Sequence, residues 1–150
     1  MLPGMTNPDP IPPIATATDP IANPADLHQR WRALMGPLGF GERLLRFTFV
    51  GPDRRLIKIL HDVEIPRMPD PRVVDNVFSA LRVILDDLDA GVTVAFLLTR
   101  PGSGGISEPD RSWAKIVVET AARFDVPIEP FFRANDEALV PLDPPSDRAA

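Results

Sequence analysis

Residues 92–98, Val-Thr-Val-Ala-Phe-Leu-Leu, form an apolar run of strand length, far below the roughly 20 residues a membrane-spanning helix needs. Successive side chains of a strand face opposite ways, so a run that is apolar throughout must be covered on both faces. The next segment of the chain supplies one cover. Arg100-Pro101 leads into the glycine-rich Gly102-Ser103-Gly104-Gly105, and Ser107-Glu108-Pro109-Asp110 opens a segment reaching to about Phe124. There Trp113, Ile116, Val117, Thr120 and Phe124 share one side, while Arg111, Lys115, Glu119 and Arg123 lie mostly on the other, the pattern of an amphipathic helix. Strand, glycine loop and helix in this order predict an α/β protein.

The flanking segments fit that class. Asn23-Pro24 with Asp26 reads as a capped helix start, with Leu27, Trp31 and Leu34 on one face and Gly36-Pro37 as its end. Leu45, Phe47 and Phe49 alternate with Arg46 and Thr48 as in a half-buried strand. After the turn residues Gly51-Pro52-Asp53, Leu56 to Leu60 reads as a second strand, antiparallel to the first. Residues 61–70 read as a connection with two prolines. Asp70-Pro71 then opens a second helix, carried by Val74, Val77, Phe78, Leu81, Ile84, Leu85 and Leu88 as far as Asp89-Ala90-Gly91. Residues 128–132 and 138–142, separated by 133–137, read as two short closing strands. The expected order is α-β-β-α-β-α-β-β, with one mixed sheet and flanking helices.

Of the 19 prolines, seven fall in residues 1–24, and Pro141, Pro144 and Pro145 sit near the other end. Residues 1–23 and 143–150 are therefore expected to be disordered, leaving a single domain over 24–142. The formal charge of −5 argues against nucleic acid as a partner, since phosphate binding needs a basic footprint. No secretory leader or membrane span is visible, so a cytoplasmic location is expected. Without cysteine there is no disulfide, thiolate metal site or thiol nucleophile.

Several motifs invite a chemical reading. Ser107 and Asp110 have the spacing of a helix cap, worth about 1 kcal/mol to a helix. Together with Arg100, Gly102, Ser103, Gly104 and Gly105 they also outline a possible anion site: backbone N–H groups of a glycine loop, a helix N-terminus and a guanidinium. Neither nucleotide-binding glycine motif is present, and Glu108 and Asp110 place negative charge beside that site. His61, Asp62 and Glu64 alternate in direction on an extended chain, so only Asp62 and Glu64 would share a face. The two histidines, His28 and His61, lie in unrelated segments, which makes a Ser-His-Asp arrangement implausible. Asp86-Asp87 reads as a solvated helix face. Arg54, Arg55 and Lys58 read as a hairpin tip charged for solubility, with an acidic partner as the alternative, and Trp31 and Trp113 read as core.

Three features together resemble the RadC-like branch of the JAB (MPN) metalloprotease clan: Pro71-Arg72-Val73-Val74 at a helix start, Leu98-Thr99-Arg100-Pro101 after the central strand, and Ser107-x-x-Asp110 on the next helix. The likeness spans about residues 44–142, and the chain also resembles a group of uncharacterised actinobacterial proteins. The resemblance implies the clan's mixed sheet with flanking helices and, in active members, a zinc ion held by a His-x-His-Pro loop and the Asp, with an upstream Glu as base and the Ser supporting the oxyanion. Leu98 and Arg100 stand where the two histidines would be, and the loop is one residue shorter than the clan's. Leucine has no lone pair to donate and a guanidinium is a permanent cation, so neither binds zinc. The expectation is a metal-free, cofactor-free and non-catalytic member that binds another protein or a second copy of itself. The alternative is a small-anion binder at residues 100–107, and the weakest reading is a peptidase rebuilt from His61, Glu64 and Asp110. Arg100, a cation placed beside the surviving Asp110, is expected to pair with it and supply the charge that zinc would have carried.

Overall fold

In a computed structural model of the chain, residues 10–57 and 59–142 are described. The three long helices are α1 (Pro24–Met35), α2 (Pro71–Asp86) and α3 (Glu108–Arg123). The five strands are β1 (Leu44–Val50), β2 (His61–Glu64), β3 (Thr93–Thr99), β4 (Phe132–Ala134) and β5 (Leu139–Pro141). They form one sheet in the order β2-β1-β3-β4-β5. β3 and β4 run parallel, while the β1–β2, β1–β3 and β4–β5 pairs are antiparallel. The fold is thus mixed α/β, as the chain's patterning predicts.

The central apolar run is covered on both sides. Val94, Phe96 and Leu98 face α2 and α3, meeting Phe78, Leu81, Trp113 and Val117. Ala95 and Leu97 face the other way, toward Leu27 and Trp31 of α1. Each helix begins as its sequence dictates, with a capping side chain followed by proline: Asn23 accepts from the Asp26 amide and Asp70 from the Arg72 amide. No helix among the described residues is long and apolar enough to cross a membrane.

The expected element order matches loosely, since three segments depart from expectation. The second strand is His61–Glu64, inside the expected connection, and not Leu56 to Leu60. Leu56 makes one isolated bridge to Val50. The Ile57 amide donates to the Phe49 carbonyl at 2.8 Å and the Ile59 amide to the Ile57 carbonyl at 2.7 Å. The chain rejoins with His61 opposite Phe47, in a strand too polar to reveal itself. Likewise, β4 starts where the expected strand 128–132 ends. Pro130 lacks the N–H a ladder needs, and Ile128 makes a lone bridge to Val94.

Residues 10–23, expected to be disordered, instead pack onto the domain. Ile14–Thr18 forms a 3-10 turn, and Ala17 and Ile21 are buried. The Ile21 amide donates to the Arg54 carbonyl at 2.8 Å, while the Arg54 side chain returns a bond to the Ile21 carbonyl at 3.2 Å. Arg30 donates to the carbonyls of Asp19 and Pro20. The proline-rich composition hid a segment held by arginines elsewhere in the chain. The expected disorder of residues 1–9 and 143–150 lies outside the described residues.

Candidate functional site

Ser107, at the mouth of α3, completes a capping box. Its hydroxyl accepts from the Asp110 amide at 3.3 Å, and the Asp110 carboxylate accepts from the Ser107 amide at 3.0 Å. The Asp110 side chain is wholly buried. Arg100, the residue after β3, meets it with a two-pronged ion pair: Nε to Oδ1 at 2.8 Å and Nη2 to Oδ2 at 3.0 Å. This is the strongest geometry available to a guanidinium and a carboxylate. Strand alternation puts Leu98 and Arg100 on the same face of the sheet, the side that α2 and α3 cover.

Two further arginines close the corner, and sequence patterning alone points to neither. Arg43, just before β1, holds Nη1 4.0 Å from Asp110 Oδ1, and Arg133, in β4, holds Nη1 3.9 Å from Oδ2. Arg43 precedes Leu45 by two residues and so shares its face, a signal readable once β1 is recognised. Arg133 falls in the expected loop 133–137, and only the true register of β4 turns it inward. Burial pushes the Asp110 carboxyl upward, but Arg100 and the Ser107 amide together outweigh it and hold the group below the usual carboxylate range. Burial lowers the pKa of Arg43 and Arg133; Asp110 opposes that and the Arg100 charge adds to it.

The glycine loop is arranged differently from an open anion cradle. Gly102 and Gly104 adopt φ of 98° and 90°, a region open to glycine. Their amides are already taken: Gly102 donates to Asp136 at 2.9 Å and Gly104 to Glu137 at 2.8 Å. The loop turns carbonyls inward, with Gly104 O accepting from Asn135 and Arg133 and Gly105 O from Arg100. Pro101 to Gly105, Ser103 among them, are exposed. Of the expected anion-site residues, Arg100, Ser107 and Asp110 converge, while the loop amides of Gly102 and Gly104 serve the acids of the β4–β5 turn.

The residues of a rebuilt metal site do not assemble. His61 stacks on Phe47 with centroids 4.9 Å apart, Asp62 lies 3.7 Å from Arg46, and Asp110 is held by Arg100. Among the described residues no three His, Cys, Asp or Glu side chains come together as metal ligands would. At the hairpin tip, the part-exposed Arg54 makes a two-pronged pair with Glu129 at 2.8 and 2.9 Å. Thr93 adds a bond to Glu129 at 2.6 Å. Both tryptophans are fully buried, and Trp113 Nε1 donates to the carbonyls of Pro66 and Arg67, each at 3.1 Å.

Set beside known proteins, the chain matches no family model, no curated protein and no solved structure.

Proposed function

We propose that this is a non-catalytic, metal-free domain of JAB-like ancestry that works by binding another protein or a second copy of itself. The observation that carries the reading is the Arg100–Asp110 pair. The only JAB-type ligand left in the sequence, Asp110, has both oxygens engaged by one guanidinium, and a fixed positive charge lies where a cation would have to sit. Without a metal-bound water, Glu64, which lies roughly where the clan keeps its base, has nothing to activate. The short edge strands β2 and β5, each paired on one side only among the described residues, offer backbone for a partner to extend. Hydrolysis assays on peptide and isopeptide substrates with zinc supplied test the catalytic half of this reading. Wild type and Asp110→Asn should both match the buffer blank; turnover that disappears with Asp110→Asn would overturn it.

A further inference from the structure

The arginine corner carries more positive charge than it neutralises. Arg43, Arg100 and Arg133 surround the one buried carboxylate of Asp110, and Arg100 alone takes both of its oxygens at hydrogen-bond distance. Arg133 is 1% exposed. Among the described residues its one hydrogen bond runs from Nη1 to Gly104 O at 3.3 Å, and its Nε meets no acceptor. Arg43 Nη1 is buried without an acceptor as well, although its side chain is 20% exposed. Native structures rarely leave such donors unmet, least of all on a charged group. Glu137, whose charge also acts on Arg133, accepts from the Gly104 amide at 2.8 Å and makes no hydrogen bond to Arg43 or Arg133 among the described residues.

We propose that this corner is a binding site for a small oxyanion, a phosphate or carboxylate group, which takes the unmet N–H groups of Arg43 and Arg133. Guanidinium forks match the geometry of both anions, and the N-terminus of α3 adds its partial positive charge beside them. Arg43, part-exposed at the rim, is the first contact from solvent. Gly104 and Gly105 carbonyls, now 3.3 Å from Arg133 and Arg100, are long, neutral acceptors that an anion replaces with shorter charge-assisted bonds. They belong to an exposed glycine loop, in which Gly104 is also held by Asn135 at its carbonyl and by Glu137 at its amide, both at 2.8 Å. The site rests on Arg43 and Arg133 and does not depend on the metal-free reading; zinc and oxyanion binding succeed or fail separately.

The test is thermal unfolding in sodium phosphate, sodium acetate and sodium chloride at matched ionic strength, with nitrogen-15 NMR of the arginine Nε–H groups. Phosphate or acetate should raise the melting temperature saturably above the chloride control and move the Arg133 Nε–H resonance. A response to phosphate alone assigns a phosphate group, and a response to both assigns carboxylates too. Arg43→Gln, at the part-exposed position, should weaken the response at least tenfold. Equal behaviour in all three salts with an unmoved Arg133 resonance would overturn the proposal, as would an Arg43→Gln protein that responds like wild type.

Discussion

Asp110→Asn is expected to destabilise the protein by roughly 3–5 kcal/mol, the cost of breaking a buried ion pair from one side. For a chain of this length that lowers the melting temperature by on the order of 10 °C. The substitution keeps the shape of the side chain but removes its charge and puts an N–H donor where one of the accepting oxygens stood, against Arg100 or the Ser107 amide, so the loss reports the charge together with its hydrogen bonds. It leaves Arg43, Arg100 and Arg133 facing one another with no carboxylate between them. Arg100→Met should cost less, roughly 2 kcal/mol, near the value of hydrogen bonds to a charged group. Asp110 then still has Arg43 at 4.0 Å and Arg133 at 3.9 Å to turn toward it.

The effect has a sign in pH. The Asp110 carboxyl sits below its ordinary value when folded, so its stabilisation is fully present above the unfolded value of about 3.9 and fades as pH falls through the folded one. The gap between wild type and Asp110→Asn should therefore hold at neutral pH and narrow in acid. Urea unfolding across pH measures all of this. Equal losses for the two variants, or a gap unchanged in acid, would mean that the corner is not organised around the aspartate's charge.

Trp113→Ala is expected to cost about 3–5 kcal/mol, the range for deleting a large aromatic from a packed core. Trp113 is fully buried among the residues that join α2, α3 and the sheet. It also acts through its indole N–H, which ties the connection before α2 to α3 by donating to the Pro66 and Arg67 carbonyls. Trp113→Phe should keep most of the packing and lose the tie, falling between wild type and alanine. Denaturant unfolding followed by far-ultraviolet circular dichroism measures both. A Trp113→Ala protein as stable as wild type would place the residue outside the core.

Helices and the central strand are legible because their signals are local. Capping residues followed by proline, and an apolar run over residues 92–98, announce themselves without knowledge of neighbours. The misplaced strands have no such signal. β2, His61-Asp62-Val63-Glu64, is three-quarters polar and becomes a strand because β1 offers it a ladder, a case of context overriding propensity. The packing of residues 10–23 is hidden for the same reason: its partners, Arg30, Arg54 and Arg55, lie well along the chain from the proline-rich segment they hold.

The candidate site divides along the same line. Arg100 and Asp110 are ten residues apart across one loop, and their pairing comes from the chemistry of a cation beside a carboxylate. Arg43, just before β1, and Arg133, in β4, arrive from either side of β3; Arg43 shares the Leu45 face by alternation, whereas Arg133 can be placed only once the register of β4 is known. The glycine loop misleads in a different way. Its amides do bind carboxylates, but those of Gly102 and Gly104 meet Asp136 and Glu137 of the same chain. No local pattern distinguishes an internal ligand from an external one.

The most direct measurement is a calorimetric titration of zinc into the wild-type protein, purified without an affinity tag and checked by elemental analysis. With Asp110 locked to Arg100, no saturable binding near one equivalent is expected, and the protein should carry no stoichiometric metal from purification. One tightly held zinc per chain, lost on Asp110→Asn, would contradict the account: it would mean that the aspartate leaves Arg100 for a metal.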